Sequence, residues 1–212
     1  MPSTRIRARR GPCPASANPG SGLESTLCPG PMAQRSVVHK AELQVADLDR
    51  GHYADYALTL ARHPSETEER MMIRLLAFAM HARPRLEFGR GLSTDDEPDL
   101  WCRDLTGAIE LWIDVGLPDA RLVRKASGRA DEVVVLAYGA ARADAWWSAQ
   151  RDALARLGNL TVYNLPPGAG QELAALAGRS MRLAVTIEDG QIRFSTDAAS
   201  VCVEPAVLMK PQ

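Results

Sequence analysis

Between Ser36 and Ala61 two runs of alternating character flank Asp49-Arg50-Gly51, with Leu43 and Val45 on one side and Tyr56, Leu58 and Leu60 on the other. Period-two alternation around a glycine turn predicts a hairpin. Pro64-Ser65-Glu66-Thr67-Glu68 follows, and its Ser65 and Glu68 have the spacing of a capping box. That spacing predicts a helix running to about His81, burying Met72, Ile73, Leu76, Phe78 and Ala79 and stopped by Pro84. A polar loop is expected from Gly91 to Asp104, and then Ala108 to Val115 reads as a strand closed by Gly116. Ile109, Leu111, Ile113 and Val115 share one face of it, and Glu110, Trp112 and Asp114 the other.

Pro118-Asp119 opens a basic helix, and Val133 to Tyr138 is a continuous apolar run of the kind buried on both faces of a parallel sheet. A helix carrying Trp146, Trp147, Leu154 and Leu157, a strand from Leu160 to Leu165, a short helix near Gln171 to Ala177 and a hairpin turning at Asp189-Gly190 complete the pattern. Strands alternate with helices in the middle and hairpins sit at both ends. The fold expected is an α/β core, a mixed central sheet flanked by helices, with additional terminal β-hairpins.

Composition changes this picture at one end only. Residues 1–31 hold six of the 14 prolines, two of the four cysteines, four arginines and a single acid, Glu24. Such a segment buries too little apolar surface to offset its ordering entropy. It reads as a disordered upstream extension, with Met32 the native start and residues 32–212 a single domain. No apolar stretch follows Arg5 to Arg10 to make a signal peptide. The longest apolar run, Met71 to Met80, is broken by Arg74 and is far short of the roughly 20 residues that cross a bilayer. A membrane protein is not expected, and a cytoplasmic one is.

The 212 residues carry 25 basic and 26 acidic side chains, a formal charge of -1, so any attraction for nucleic acid must come from local patches. Only Cys102 and Cys202 lie beyond the upstream segment, too far apart to make a motif, and free thiols are expected of them. The histidines His39, His52, His63 and His81 never fall at i,i+4, which leaves zinc without support. Nucleophile-elbow, phosphate-loop and dinucleotide signatures are absent.

What chemistry there is lies in the acids. Glu97-Pro98-Asp99 precedes the strand that ends in Asp114, at a carboxyl end where α/β folds place functional groups. Asp99, Asp114 and the backbone carbonyl of Val115 would offer hard oxygen ligands to Mg²⁺ or Mn²⁺. A Pro-Asp element followed 15 residues on by a strand acid has the shape of a metal-dependent nuclease site. A turn-forming Asp99 and a loop-capping Asp114 is the competing reading. Glu69 shares the helix face of Met72, Ile73 and Leu76, which directs a carboxylate inward, toward either the chemistry or an arginine partner. Lys125 is the nearest amine after Asp114 and is a candidate catalytic cation. Arg90, Arg121, Arg124 and Arg129, with Arg83 and Arg85, would make a phosphate-binding rim.

Several stretches also resemble a known family: T-E-E-R-M-M-I-R-L-L from Thr67 to Leu76, L-E-F-G-R-G-L-S-T-D-D-E-P-D-L-W from Leu86 to Trp101, and D-L-T-G-A-I-E-L-W-I-D-V-G-L-P-D from Asp104 to Asp119. With R-K-A-S-G-R-A-D at Arg124 to Asp131, A-W-W at Ala145 to Trp147, N-L-P at Asn164 to Pro166 and R-S-M at Arg179 to Met181, they are similar to the YaeQ family of small bacterial proteins. The resemblance spans Met32 to Glu204. It implies a variant of the PD-(D/E)xK nuclease fold with a restriction-endonuclease-like core, in which Glu69 is the helix acid, Asp99 the acid of the Pro-Asp element and Asp114 the strand acid. The lysine that the motif places two residues after Asp114 is Gly116 here, and Lys125 is its candidate replacement. Two functions remain open: a metal-dependent phosphodiesterase acting on nucleic acid, or a catalytically inactive protein of the same fold that binds nucleic acid or a protein partner.

Overall fold

The computed structural model describes residues 36–89 and 97–211. The expectations for residues 1–31 and for Arg90 lie outside the described residues. Those described belong to one compact unit, Gln34–Gln212.

The first hairpin forms as its alternation predicts: β1, Val37–Asp47, pairs antiparallel with β2, His52–Arg62, in unbroken register. His39, Ala41, Leu43, Val45 and Asp47 of β1 all point inward. The helix α1, Glu68–Met80, follows, but its cap differs from the one expected. Thr67, not Ser65, accepts the backbone N–H of Arg70 at 3.1 Å, because Ser65 is already engaged with the His63 ring at 2.6 Å.

α1 is not amphipathic in the ordinary way. Every residue from Met71 to Ala79 is buried, Arg74 included, which is the signature of a helix enclosed on all sides.

Beyond it lie β3, Leu86–Phe88; β4, Leu100–Arg103; β5, Ile109–Val115; α2, Ala120–Ser127; β6, Ala130–Ala137; α3, Ala141–Leu154; β7, Leu160–Asn164; and α4, Ala169–Ala174. Four strands close the chain: β8, Ser180–Glu188; β9, Gln191–Ser195; β10, Ser200–Val203; and β11, Ala206–Met209. The short strands β4, β10 and β11 were not anticipated, β4 falling inside the expected polar loop.

The strands make two mixed sheets. The six-stranded one runs β11-β7-β6-β5-β4-β3, with β6 parallel to both β5 and β7, as the apolar run from Val133 predicts. The five-stranded one runs β10-β9-β8-β1-β2. The terminal hairpins are therefore not appendages to a single sheet. β1 and β8 pair in parallel from Lys40 opposite Ser180 to Asp47 opposite Ile187, fusing both hairpins into a second sheet.

A core of apolar residues from the five-stranded sheet, from α1 and α4, and from one face of the six-stranded sheet fills the space between the sheets. The opposite face of β5, β6 and β7 packs Trp112, Val133, Val135, Leu160 and Val162 against Ala120, Val123, Ala126 and Leu154 of α2 and α3. The order of layers is sheet, helices, sheet, helices.

Candidate functional site

The β4–β5 register sets Leu100 opposite Ile113, so the next rung brings Asp99 beside Asp114 at the carboxyl end of β5. Asp99 extends the ladder in two ways. Its N–H donates to the Ile113 carbonyl at 3.0 Å, and its Oδ2 accepts the N–H of Val115 at 2.8 Å. Asp99 is only 6% exposed, and a buried carboxylate needs a compensating charge. Two arginines one helical turn apart on α1 provide it. The Arg70 Nη2 donates to both Asp99 oxygens, at 2.7 and 2.9 Å, and the Arg74 Nε lies 3.4 Å from Oδ1. Glu66, just before the helix, ties the pair together, accepting from Arg70 at 3.1 Å and from Arg74 at 3.1 Å. Arg74 is 1% exposed and also reaches the Gly89 carbonyl, whereas the Arg70 side chain keeps 17% of its surface in solvent.

Asp114 sits across from this network on the Trp112 side of β5. Burial pushes its pKa up to about 7. The Trp112 indole N–H, close by though outside hydrogen-bonding geometry, opposes the shift; the Asp99 charge adds to it and Arg70 works against it. Arg70 thus acts on both acids. It also acts on Tyr138, immediately after β6, whose phenol is raised chiefly by burial, with Arg70 pulling it back and Glu69, Asp99 and Glu66 adding to the rise.

Glu69 is half-buried on the first turn of α1. With Tyr138, Gly139, Ala140, Gly168 and Gly170 it lines a cavity of about 150 Å³ beside the ends of β6 and β7. Its carboxylate lies so close over Gly170 that any side chain there would overlap it. Ala140 on the same wall has φ 51° and ψ -122°, a strained conformation for a residue with a Cβ.

Asp99, Asp114 and Val115 are thus adjacent, with Glu69 on the neighbouring wall. Among the described residues no three His, Cys, Asp or Glu side chains stand close enough to share a metal ion, so Glu69 does not complete a trio with the two aspartates. Lys125 is not brought to them. β5 and β6 are parallel, so α2 must return the chain from the carboxyl end of one to the amino end of the other. Lys125 is exposed in the last turn of α2, roughly 9 Å along the axis from the Asp119 cap. The helix carries that amine away from Asp114 instead of swinging it back.

Gly116 holds φ +123°, a conformation that strains any L side chain, so a lysine at the motif position would be strained although the space around it is open. Sequence reasoning missed Glu66, Arg70, Arg74 and Tyr138. Arg74 carries a signal, a charge inside the apolar run of the helix, and Glu66 falls eight residues before it; Arg70, beside Glu68 and Glu69 in the polar first turn, and Tyr138, at the end of an apolar strand, carry none.

Comparison with known proteins agrees with the stretches of likeness. The family model described as YaeQ protein matches residues 32–205. The chain is 48% identical over 164 residues to "Uncharacterized protein YaeQ" of Salmonella typhi, covering 77% of this chain and 91% of that one. It is 43% identical over 180 residues to the Escherichia coli K12 protein of the same name, covering 85% and 99%. The crystal structure of a YaeQ protein from Xanthomonas axonopodis pv. citri is similar at TM-score 0.81 and 52% identity, over 83% of this chain and 99% of that one. The one from Pseudomonas syringae is similar at TM-score 0.78 and 39% identity, over 82% and 97%.

Proposed function

The chain is a member of the YaeQ family, and from its site we propose that it is a divalent-metal-dependent phosphodiesterase acting on nucleic acid, on a restriction-endonuclease-like variant of the PD-(D/E)xK core. The observation that carries this reading is the placing of Asp99 beside Asp114 on one rung at the carboxyl end of β5, a buried acid next to a half-buried one.

The donor set suits Mg²⁺ or Mn²⁺. Asp99 and Asp114 are hard carboxylate ligands. In an extended strand a residue's N–H and C=O leave on the same side, so Val115, whose N–H meets Asp99, turns its carbonyl that way too. Two carboxylates with water and substrate oxygens form the usual environment of Mg²⁺, which needs no third acid. The cation when bound would activate water and neutralise charge on the phosphodiester. Glu69, beside the cavity and Tyr138, orients the attacking water. Arg121, Arg124 and Arg129, all exposed on and just after α2, with Arg90, act as the phosphate-contacting rim. Among the described residues Cys102 and Cys202 are free thiols, which fits a reducing cytoplasmic setting, and no helix is long and apolar enough to cross a membrane.

The test is cleavage of single-stranded and duplex DNA and RNA with Mn²⁺ or Mg²⁺. Metal-dependent cleavage that drops at least about a hundredfold in Asp114→Ala is expected. Equal trace cleavage by wild type and variant on every substrate ends the enzymatic reading. A second reading, a catalytically inactive protein of this fold that binds nucleic acid or a protein, draws on Gly116 at the motif position and on Arg70 holding both oxygens of Asp99. It predicts salt-sensitive binding without turnover.

A further inference from the structure

Two arginines meet Asp99, and they are not equivalent. Arg74 is sealed between Glu66, Asp99 and the Gly89 carbonyl, with 1% of its surface exposed. It is part of the framework. Arg70 meets the same carboxylate through both its oxygens, at 2.7 and 2.9 Å, and keeps 17% of its side chain in solvent. It stands where the charges of the site converge.

We infer that Arg70 is a built-in stand-in for the divalent cation: its guanidinium holds both oxygens of Asp99 until a metal displaces it, and the released side chain then takes the phosphate of the incoming substrate. The inference rests on the proposed metal site and adds to it the residue that regulates loading and binds substrate.

The chemistry of each partner supports the exchange. A guanidinium and a divalent cation compete for the same carboxylate lone pairs on Asp99. When Arg70 leaves, Asp99 is not stranded, because the Val115 N–H and Arg74 still hold it. Glu66 likewise retains Arg74. The network is built with one removable member. An arginine released beside a metal-bound phosphodiester meets an anion whose oxygens fit its planar fork, in a place where neither Gly116 nor Lys125 puts a cation. Loading of metal and of phosphate are then linked, each favouring the state the other binds.

The experiment is calorimetric titration of Mn²⁺ into wild type and Arg70→Gln, with thermal melts and circular dichroism to establish that the variant is folded. Arg70→Gln is expected to bind Mn²⁺ at least about tenfold more tightly, since the competitor for the Asp99 oxygens is gone. A second titration adds pyrophosphate as the probe. Mn²⁺ should tighten pyrophosphate binding to wild type, and Arg70→Gln should lose most of that gain.

Wild-type protein supplies a check free of mutational damage: on addition of Mg²⁺ the Arg70 Nη–H resonances should lose the restrained signature of an ion pair. Equal or weaker Mn²⁺ affinity in Arg70→Gln overturns the inference while leaving the metal site intact. Absence of Mn²⁺ binding in both proteins removes the metal site itself, and the inference with it. Unchanged coupling to pyrophosphate in the variant removes the hand-over to substrate.

Discussion

Asp114 shows how much a single position can contribute to both chemistry and stability. An aspartate raised from 3.8 to about 7 in the folded state keeps its proton while the unfolded chain has already lost one. The stability this confers is complete below about pH 4 and drains away as pH rises toward 7, at about 1.4 kcal/mol per pH unit at most. Asp114→Asn should therefore melt at a higher temperature than wild type at pH 8, by an amount worth a few kcal/mol, and the two melting curves should converge near pH 4. A variant no more stable at pH 8 would mean that Asp114 is solvated after all.

Gly116→Lys, which restores the motif lysine in sequence, should cost about 1–2 kcal/mol through its φ of +123° and bring no gain in cleavage; urea melts and the nuclease assay read the two effects. At this scale Asp99 and Asp114 were legible, because a Pro-Asp turn and a strand-end acid announce themselves locally. Arg70 was not. Its role depends on a partner 29 residues away, and in isolation it reads as an ordinary solvated helix position.

At the scale of the element, α1 turns on which of two hydroxyls caps it. Ser65 alone has an acid three residues on, yet Thr67, directly before Glu68, makes the cap, while Ser65 pairs with the His63 ring. Thr67→Ala should lose about 1 kcal/mol of stability by urea denaturation while Ser65→Ala loses almost none. Arg74→Met is more severe, because it takes from buried Glu66 one of its two arginines and from Asp99 another: a loss of about 3–5 kcal/mol is expected in the same measurement. The long elements were legible because periodicity accumulates over many residues: the 11 residues of β1 suffice to show alternation, whereas the four of β10 or β11 do not. Those short strands owe their existence to neighbours already in place, which no local pattern encodes. The same holds for α1, whose burial on all sides follows from having a sheet on each flank.

The whole molecule adds effects that no element has alone. His81, the C-cap of α1, lies 6.3 Å from the Tyr163 ring of the facing sheet, with its Nε2 shielded from solvent and unpartnered. Burial lowers its pKa to about 3, Arg83 and Arg50 contributing in the same direction and Asp47 against it. The folded state therefore keeps His81 neutral where the unfolded chain protonates it. This stability is present above about pH 6.5 and is lost on acidification toward pH 3, again at no more than about 1.4 kcal/mol per pH unit. His81→Gln should flatten the acid limb of the stability profile, an effect opposite in sign to that of Asp114→Asn and separable from it by melting each variant between pH 4 and pH 7.

The parallel seam between β1 and β8 has a consequence for how the chain is made. Its members lie about as far apart as Glu42 and Arg182, 140 residues. At roughly 5–20 residues per second, a ribosome takes on the order of ten to thirty seconds to deliver β8 after β1 has emerged. Throughout that interval the first hairpin has one face meant for α1 and one open row of amides and carbonyls with nothing to pair. The first of the described strands to be synthesised is thus among the last to be finished, and a nascent chain halted before Ser180 should be cut by protease within β1 and β2 where the released protein resists.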